Sequence, residues 1–208
     1  MIPIRPSKIV CVGRNYVAHA KELGNEVPER PMLFLKPSSA LIASGDAIEL
    51  PSASSQVEYE GEIGVVIGTR LRRGDARGAE AAIRGFICAN DVTARDLQKP
   101  DGQWGRAKGF DTFCPVGPRV VEGLDWRGLS VVTRVNGEER QRAAAGDMHF
   151  SIPELLVYIS NVMTLEPDDL ILTGTPAGVG RLTAGDTVEV EMPGVGILTN
   201  SVRHEGPR

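Results

Sequence analysis

Short apolar runs recur along the chain, each broken within a few positions by Gly, Pro or charged residues. Runs rich in β-branched residues and bounded by turn formers read as strands. On that basis the pattern predicts strands at Lys8–Val12, Met32–Lys36, Ala47–Leu50, Ile63–Ile67, Gly85–Asn90, Pro118–Val121, Ser130–Val135, Leu170–Thr173 and Thr187–Met192. Helical spacing is rarer. Ser151–Met163 is the clearest helix: Leu155, Leu156, Ile159 and Val162 fall on one face, Ser151 can cap it, and Pro153 and Glu154 suit its first turn. Tyr16–Leu23 and Ala76–Ala82 are shorter candidates.

Strands therefore dominate without alternating regularly with helices, which argues against a doubly wound nucleotide fold. No glycine-rich loop has phosphate-binding or dinucleotide spacing. The run Thr173–Gly180 (TGTPAGVG) reads as a strand-end turn, either a plain one or one that offers backbone N–H groups to an anion. At 208 residues, without repeats or a linker-like segment, the chain is expected to form one domain.

Composition narrows the function classes. A net charge of −4 without a basic stripe argues against a nucleic-acid partner, and the run Arg70–Arg73 fits a solvated turn. Cys11, Cys88 and Cys114 lack metal-type spacing and suit buried free thiols in a reducing compartment. The N-terminus lacks the apolar core of a signal peptide, and no apolar run reaches the ~20 residues a membrane span needs. A cytoplasmic protein without a membrane partner is the expectation.

The most informative stretch is Glu58–Gly68, EYEGEIGVVIG. On a strand Glu58, Glu60 and Glu62 share one face, at steps of about 7 Å, and carboxylates so placed repel unless something compensates. A second apolar run ends in Asp91, with Thr93, Arg95 and Asp96 following in what reads as a turn. Two glutamates and an aspartate from a second strand would make an all-oxygen site suited to Mg²⁺, Mn²⁺ or Ca²⁺ rather than Zn²⁺. A solvated acidic strand face explains the same pattern without a metal.

Six ordered motifs bear on this choice. They are Gly13-Arg14-Asn15-Tyr16, Phe34-Leu35-Lys36-Pro37, Glu60–Val66, Asp91–Asp96, Lys108–Thr112 and Leu172–Pro176. Together they resemble the fumarylacetoacetate hydrolase family, over nearly the whole chain. The length is similar to that of the family's short members, acylpyruvases, oxaloacetate decarboxylases and isomerase/decarboxylases of aromatic catabolism, which consist of the catalytic domain alone. The resemblance implies an α+β, β-dominated fold, a mixed β-sandwich roll with a few flanking helices, usually homodimeric. It implies that Glu60, Glu62 and Asp91 bind Mg²⁺ or Mn²⁺. Glu58 departs from the pattern, in which that position is more often His or another polar residue, and it is left out of the ligand set.

Family substrates are 2-oxo acids, often with a second carbonyl at C4. Breaking the C3–C4 bond of such a substrate leaves an enolate, whose charge a cation stabilises as a Lewis acid. Hydrolysis, decarboxylation and keto–enol isomerisation can all draw on that electron sink. Hydrolysis also needs a base for water. His204 sits in a polar tail, and His149 fits a structural or surface role. His19 lies three residues before Glu22, so on a helix the two can pair. That pair is either a surface ion pair or a general-base dyad. In short acylpyruvase-like members such a pair lies on a lid, so the resemblance assigns Arg14 to about Arg30 to a mobile lid with Gly24 and Asn25 at its exit. It also places Lys108 beside the enolate and Thr175 on the substrate carboxylate, helped by the backbone of its neighbouring glycine. Arg14 and Gln98 are assigned to the distal substrate end, and Asp96 and Asp111 to buttressing the site. Lys36 belongs either to the site or to the fold.

The leading expectation is a Mg²⁺-dependent hydrolase of acylpyruvates such as fumarylpyruvate or acetylpyruvate, with oxaloacetate decarboxylation as an accompaniment. An isomerase or decarboxylase of 2-hydroxy-hexadienedioates is the alternative enzyme. A non-catalytic metal- or ligand-binding domain is the alternative of another class.

Overall fold

Two mixed β-sheets and a three-stranded ribbon carry most of the chain in the computed structural model, which describes residues 2–22, 24 and 26–206. The strands are β1 (Ile9–Gly13), β2 (Met32–Lys36), β3 (Leu41–Ala43), β4 (Ala47–Leu50), β5 (Val57–Tyr59), β6 (Gly61–Ile67), β7 (Ile83–Asn90), β8 (Thr93–Ala94), β9 (Cys114–Val121), β10 (Ser130–Val135), β11 (Glu138–Ala144), β12 (Leu170–Leu172), β13 (Gly180–Arg181), β14 (Thr187–Met192) and β15 (Gly196–His204). The helices are α1 (Val17–Glu22), α2 (Ala76–Ala81), α3 (Arg95–Asp101), α4 (Gly105–Gly109) and α5 (Ile152–Val162). None of the described helices is long and apolar enough to cross a membrane.

The larger sheet runs β2-β1-β12-β6-β7-β9-β3 and the smaller β11-β10-β14-β15-β4. The ribbon β13-β5-β8 lies against the smaller sheet. Alternation along each strand decides which layer it joins. Val10, Val12, Ile63, Val65 and Ile67 turn toward α5 and the small sheet, where Leu155, Leu156, Ile159, Val131 and Val190 meet them. Ile9, Cys11, Val66, Leu170 and Leu172 face the other way, under a segment that includes Ile4 and Ala40. On the small sheet, Val188 and Val202 continue the inner face toward the ribbon, packing with Val57, Tyr59 and Phe113. The expected strand-dominated α+β roll is what forms.

Four predicted strands, Met32–Lys36, Ala47–Leu50, Ser130–Val135 and Thr187–Met192, form with the expected ends. Three extend, β6 from Gly61, β7 from Ile83 and β9 from Cys114, while β1 lies one residue later than expected and β12 ends one residue earlier. The long helix is α5, with Ser151 ahead of it giving both its N–H and its hydroxyl hydrogen to Glu154. Three expectations are corrected. Residues 95–101 are not a turn but the helix α3, which begins directly after the short strand β8. Strands β11 and β15 went unpredicted: β11 is an edge strand with a charged outer face, and β15 is interrupted by polar residues. The acidic stretch is likewise not one continuous strand. It passes from β5 in the ribbon to β6 in the large sheet, with Glu60 at the junction.

All three cysteines are buried free thiols, as the sequence suggested. Burial pushes the Cys88 and Cys114 thiols up to about 12 and raises Cys11 further from reactivity.

Candidate active site

The antiparallel pairing of β6 with β7 assembles the acidic cluster. Gly61 lies opposite Asn90, so the flanking Glu60 and Asp91 also meet, joined by a 2.8 Å bond from the Asp91 N–H to the Glu60 carbonyl. Glu62, two residues along β6, keeps to the same face as Glu60. One carboxylate oxygen from each of Glu60, Glu62 and Asp91 lies within 4.8 Å of the others. The cluster is not a solvated face, because Glu60 is 4 %, Glu62 1 % and Asp91 1 % exposed.

Buried cations offset much of this charge. Lys108, on α4, gives its ammonium to Glu60 Oε2 and Asp91 Oδ2, both at 2.7 Å. Lys36, at the end of β2, reaches Asp91 Oδ1 at 2.6 Å and the Val92 carbonyl at 3.0 Å. Lys36 therefore belongs to the site. Arg95, at the start of α3, spans Glu58 Oε2 at 2.7 Å and Glu60 Oε1 while also donating to Gln98 Oε1 at 2.8 Å. Glu58 is thus neutralised by Arg95, with Gln56 Nε2 as a further donor at 2.6 Å. Four buried carboxylates face three buried or half-buried cations, a net negative site.

The imbalance falls on Glu62. Burial and the neighbouring Asp91 and Glu60 raise its carboxyl well above the usual range, and its hydrogen-bond donor among the described residues is the Gly174 N–H at 2.7 Å. Burial acts the same way on Glu60, but Lys108 and Arg95 overcome it and hold that carboxyl well below the usual range. Burial lowers and the adjoining Asp91 and Glu60 raise the Lys108 ammonium, with a net rise that keeps it charged. Hard oxygen donors with an uncompensated negative charge fit a divalent cation of the Mg²⁺ or Mn²⁺ kind.

A cavity of about 50 Å³ opens onto this cluster, lined by Arg14, His19, Gln98, Thr175, Trp104 and Phe34 besides Glu60, Glu62, Asp91, Arg95 and Lys108. Of the nine residues the sequence assigned to catalysis, substrate or metal, eight line it and Glu22 stands behind His19. His19 comes from α1 and is 4 % exposed, with Nδ1 3.3 Å from Glu22 Oε2. The Glu22 carboxylate also accepts the Gly178 N–H, at 3.0 and 3.2 Å to its two oxygens. Arg14 adopts a left-handed φ of 58° directly after β1 and carries no ion pair among the described residues. Of the expected lid exit, Gly24 has φ 66° and Asn25 lies outside the described residues.

Several residues differ from expectation. The Thr175 hydroxyl already donates to the Gly61 carbonyl at 2.9 Å and accepts from Gln141 at 2.8 Å, and the neighbouring Gly174 N–H is given to Glu62. The glycine-rich turn does present N–H groups to anions, but the anions are the protein's own Glu62 and Glu22. Asp96 holds Ser54 and Ser55 ahead of β5 instead of bracing the cavity, and Asp111 is exposed on a turn outside its lining. His149 and His204 are both exposed. Reasoning from sequence passed over Arg95 as a site residue because it was assigned to a turn. Its spacing from Gln98, one helical turn, was the available signal.

Residues 8–203 match the family described as fumarylacetoacetate (FAA) hydrolase C-terminal. An uncharacterized protein of Methanocaldococcus jannaschii is 52% identical, over 97% of this chain and 85% of its own length. The oxaloacetate tautomerase YisK of Bacillus subtilis is 43% identical, over 95% of this chain and 70% of its own. Among solved structures, a 5-carboxymethyl-2-hydroxymuconate delta-isomerase from Mycobacterium smegmatis superposes with a TM-score of 0.92 at 47% identity, covering 99% of this chain and 82% of that one. A fumarylpyruvate hydrolase from Pseudomonas aeruginosa, in complex with Mn²⁺ and pyruvate, gives 0.89 at 33% identity, covering 97% and 91%. The fold and the match over residues 8–203 lead to one conclusion: the chain belongs to the fumarylacetoacetate hydrolase family.

Proposed function

We propose that this chain is a divalent-metal-dependent enzyme acting on small 2-oxo acids through their enolates, and that its reaction is the hydrolytic cleavage of acylpyruvates. The observation that carries the proposal is the placement of His19 over the same cavity as the buried Glu60–Glu62–Asp91 cluster. Those three carboxylates would hold Mg²⁺ or Mn²⁺, which supplies Lewis-acid stabilisation of charge developing on a substrate oxygen.

The protein's own groups do the rest. With the Nδ1–H of His19 given to Glu22, Nε2 is the acceptor available to the cavity, able to take a proton from water as it attacks the C4 carbonyl. Glu22 holds the ring in that tautomer, and the Gly178 N–H holds Glu22. When the C3–C4 bond breaks, its electron pair becomes the enolate of pyruvate, and the proton held at Nε2 is the one C3 then needs. Lys108 stays cationic at the cavity floor and favours the enolate electrostatically. Arg14, which has no ion pair among the described residues, is a cation available to a distal carboxylate. The cavity holds only a few waters at its present size. Admitting a substrate would therefore require α1 to move away from the cavity.

A second reading, keto–enol tautomerisation, is favoured by the higher identity to YisK and the M. smegmatis isomerase than to the P. aeruginosa hydrolase. It needs the same enolate and the same His19, now moving a proton to and from C3 without attacking water. We further propose a cytoplasmic homodimer with neither nucleic acid nor membrane as partner; sedimentation should then give twice the 22.3 kDa chain mass.

The deciding experiment offers acetylpyruvate, fumarylpyruvate and oxaloacetate to the enzyme with Mg²⁺ and with chelator. Metal-dependent pyruvate release from an acylpyruvate, lost in His19→Ala, supports hydrolysis. Decay of oxaloacetate enol absorbance without pyruvate supports the tautomerase. Pyruvate from oxaloacetate alone makes it a decarboxylase, and no turnover of any of the three rejects the 2-oxo acid reading.

A further inference from the structure

We infer that Gln141 is a positioning residue that holds the metal-ligand strand, the Gly174–Gly178 loop and the seat of the lid in one register. It lies on β11, whose other residues are exposed or half-buried, yet Gln141 is itself 1 % exposed. Its amide makes three buried bonds. Oε1 accepts the Gly61 N–H at 3.0 Å, and Nε2 donates to Thr175 Oγ1 and to the Pro176 carbonyl, each at 2.8 Å.

Each partner belongs to the site. Gly61 is the peptide between Glu60 and Glu62, so fixing it fixes how the two carboxylates diverge. A Cβ at Gly61 would sit 1.9 Å from Thr133 Oγ1, so the small sheet is pressed against this peptide and leaves glycine as the residue that fits. Thr175 closes the ring by donating to the Gly61 carbonyl. Two residues beyond Pro176, Gly178 lies against the same strand: a Cβ there would meet the Arg140 carbonyl at 2.0 Å. The Gly178 carbonyl accepts the Tyr59 hydroxyl at 2.9 Å, and its N–H donates to Glu22. A single amide in the second sheet thus sets where the carboxylates point and where the dyad docks. Partners behind metal ligands typically change metal affinity about 10- to 100-fold when removed.

The inference rests on the metal-site reading for one of its two readouts, and its test uses Mn²⁺ titration and amide hydrogen exchange, neither of which depends on knowing the substrate. Gln141→Met keeps the side-chain length and removes all three bonds. Thr133→Val alters the adjoining buried position, whose hydroxyl has no partner among the described residues, and serves as the packing control. Gln141→Met should weaken Mn²⁺ binding at least about tenfold and speed amide exchange in residues 174–180 of the metal-free protein, with Thr133→Val unchanged in both. Gln141→Glu, which keeps the acceptor for Gly61 and loses the Nε2 donors, should speed that exchange without weakening Mn²⁺ binding. It also stands in if the Met variant fails to fold. Wild-type affinity and exchange in Gln141→Met would overturn the inference, and so would equal loosening in Thr133→Val, which would reduce Gln141 to ordinary packing. If the wild-type protein binds no Mn²⁺, the metal reading fails, and the exchange comparison alone decides for or against Gln141.

Discussion

The cavity has two walls built on opposite principles. Its floor comes from β6 and β7, central strands of the large sheet, where the carboxylates are buried, Glu60 and Asp91 bonded by the buried Lys108 and Lys36 and Glu62 by the Gly174 N–H. Its roof is α1, one helix of six residues, held over the cavity by the Glu22 carboxylate on Gly178 and by backbone bonds near Tyr16. A helix that short has little stability of its own. The contrast separates two duties: the floor keeps charges in place that water would otherwise dissolve apart, while the roof, on the function proposed above, would have to open to admit a substrate.

The contrast can be broken from either side. Lys108→Met should do the most damage, because it strands Glu60 and Asp91 without their shared cation. Activity should vanish and unfolding free energy fall by about 3–5 kcal/mol, read by denaturant titration. His19→Ala should cut turnover about 100- to 10,000-fold while shifting stability by no more than about 1 kcal/mol. An equal loss of stability in the two variants would dissolve the distinction between floor and roof.

Metal should act on the floor alone. Mn²⁺ at 100 times its dissociation constant should stabilise the protein by about 2.7 kcal/mol, measured by thermal melts against chelator. The increment should survive in His19→Ala and disappear in Glu62→Ala. The smallest effect concerns acid. Asp169, ahead of β12, accepts from Ser7, Lys8 and Glu166; burial raises its carboxyl, but these bonds prevail and hold it below the ordinary range. Its stabilising contribution is therefore present above the unfolded value of about 3.9 and is lost as pH falls through the lower folded value. Asp169→Asn should flatten the acid limb of the stability profile in that window and leave turnover near neutrality unchanged.

Much of the floor was legible in the sequence because it is local. Glu60 and Glu62 share a face through the two-residue period of a strand, Asp91 ends the apolar run that pairs with it, and the surrounding motifs identify the family. The third glutamate was harder. What neutralises Glu58 is Arg95, and no spacing along the chain announces an ion pair between a ribbon strand and the helix beyond it. Gln141 was illegible for a related reason. It sits among Glu138, Glu139, Arg140 and Arg142, so its strand reads as a charged surface segment, and only the pairing of β11 with β10 reveals the one inward position. Thr175 lines the cavity, yet the sequence could not show that its hydroxyl hydrogen is already given to Gly61.

The three buried thiols turn the molecule into its own reporter. Cys11 and Cys114 lie in the layer beneath the acidic floor and feel the charge of Asp91 and Lys36, while Cys88 sits within β7 itself. An alkylating reagent can reach them only when the sheet opens, so swings of the roof should pass unrecorded. Labelling rates would then time the rupture of the floor, separately from the comings and goings above it.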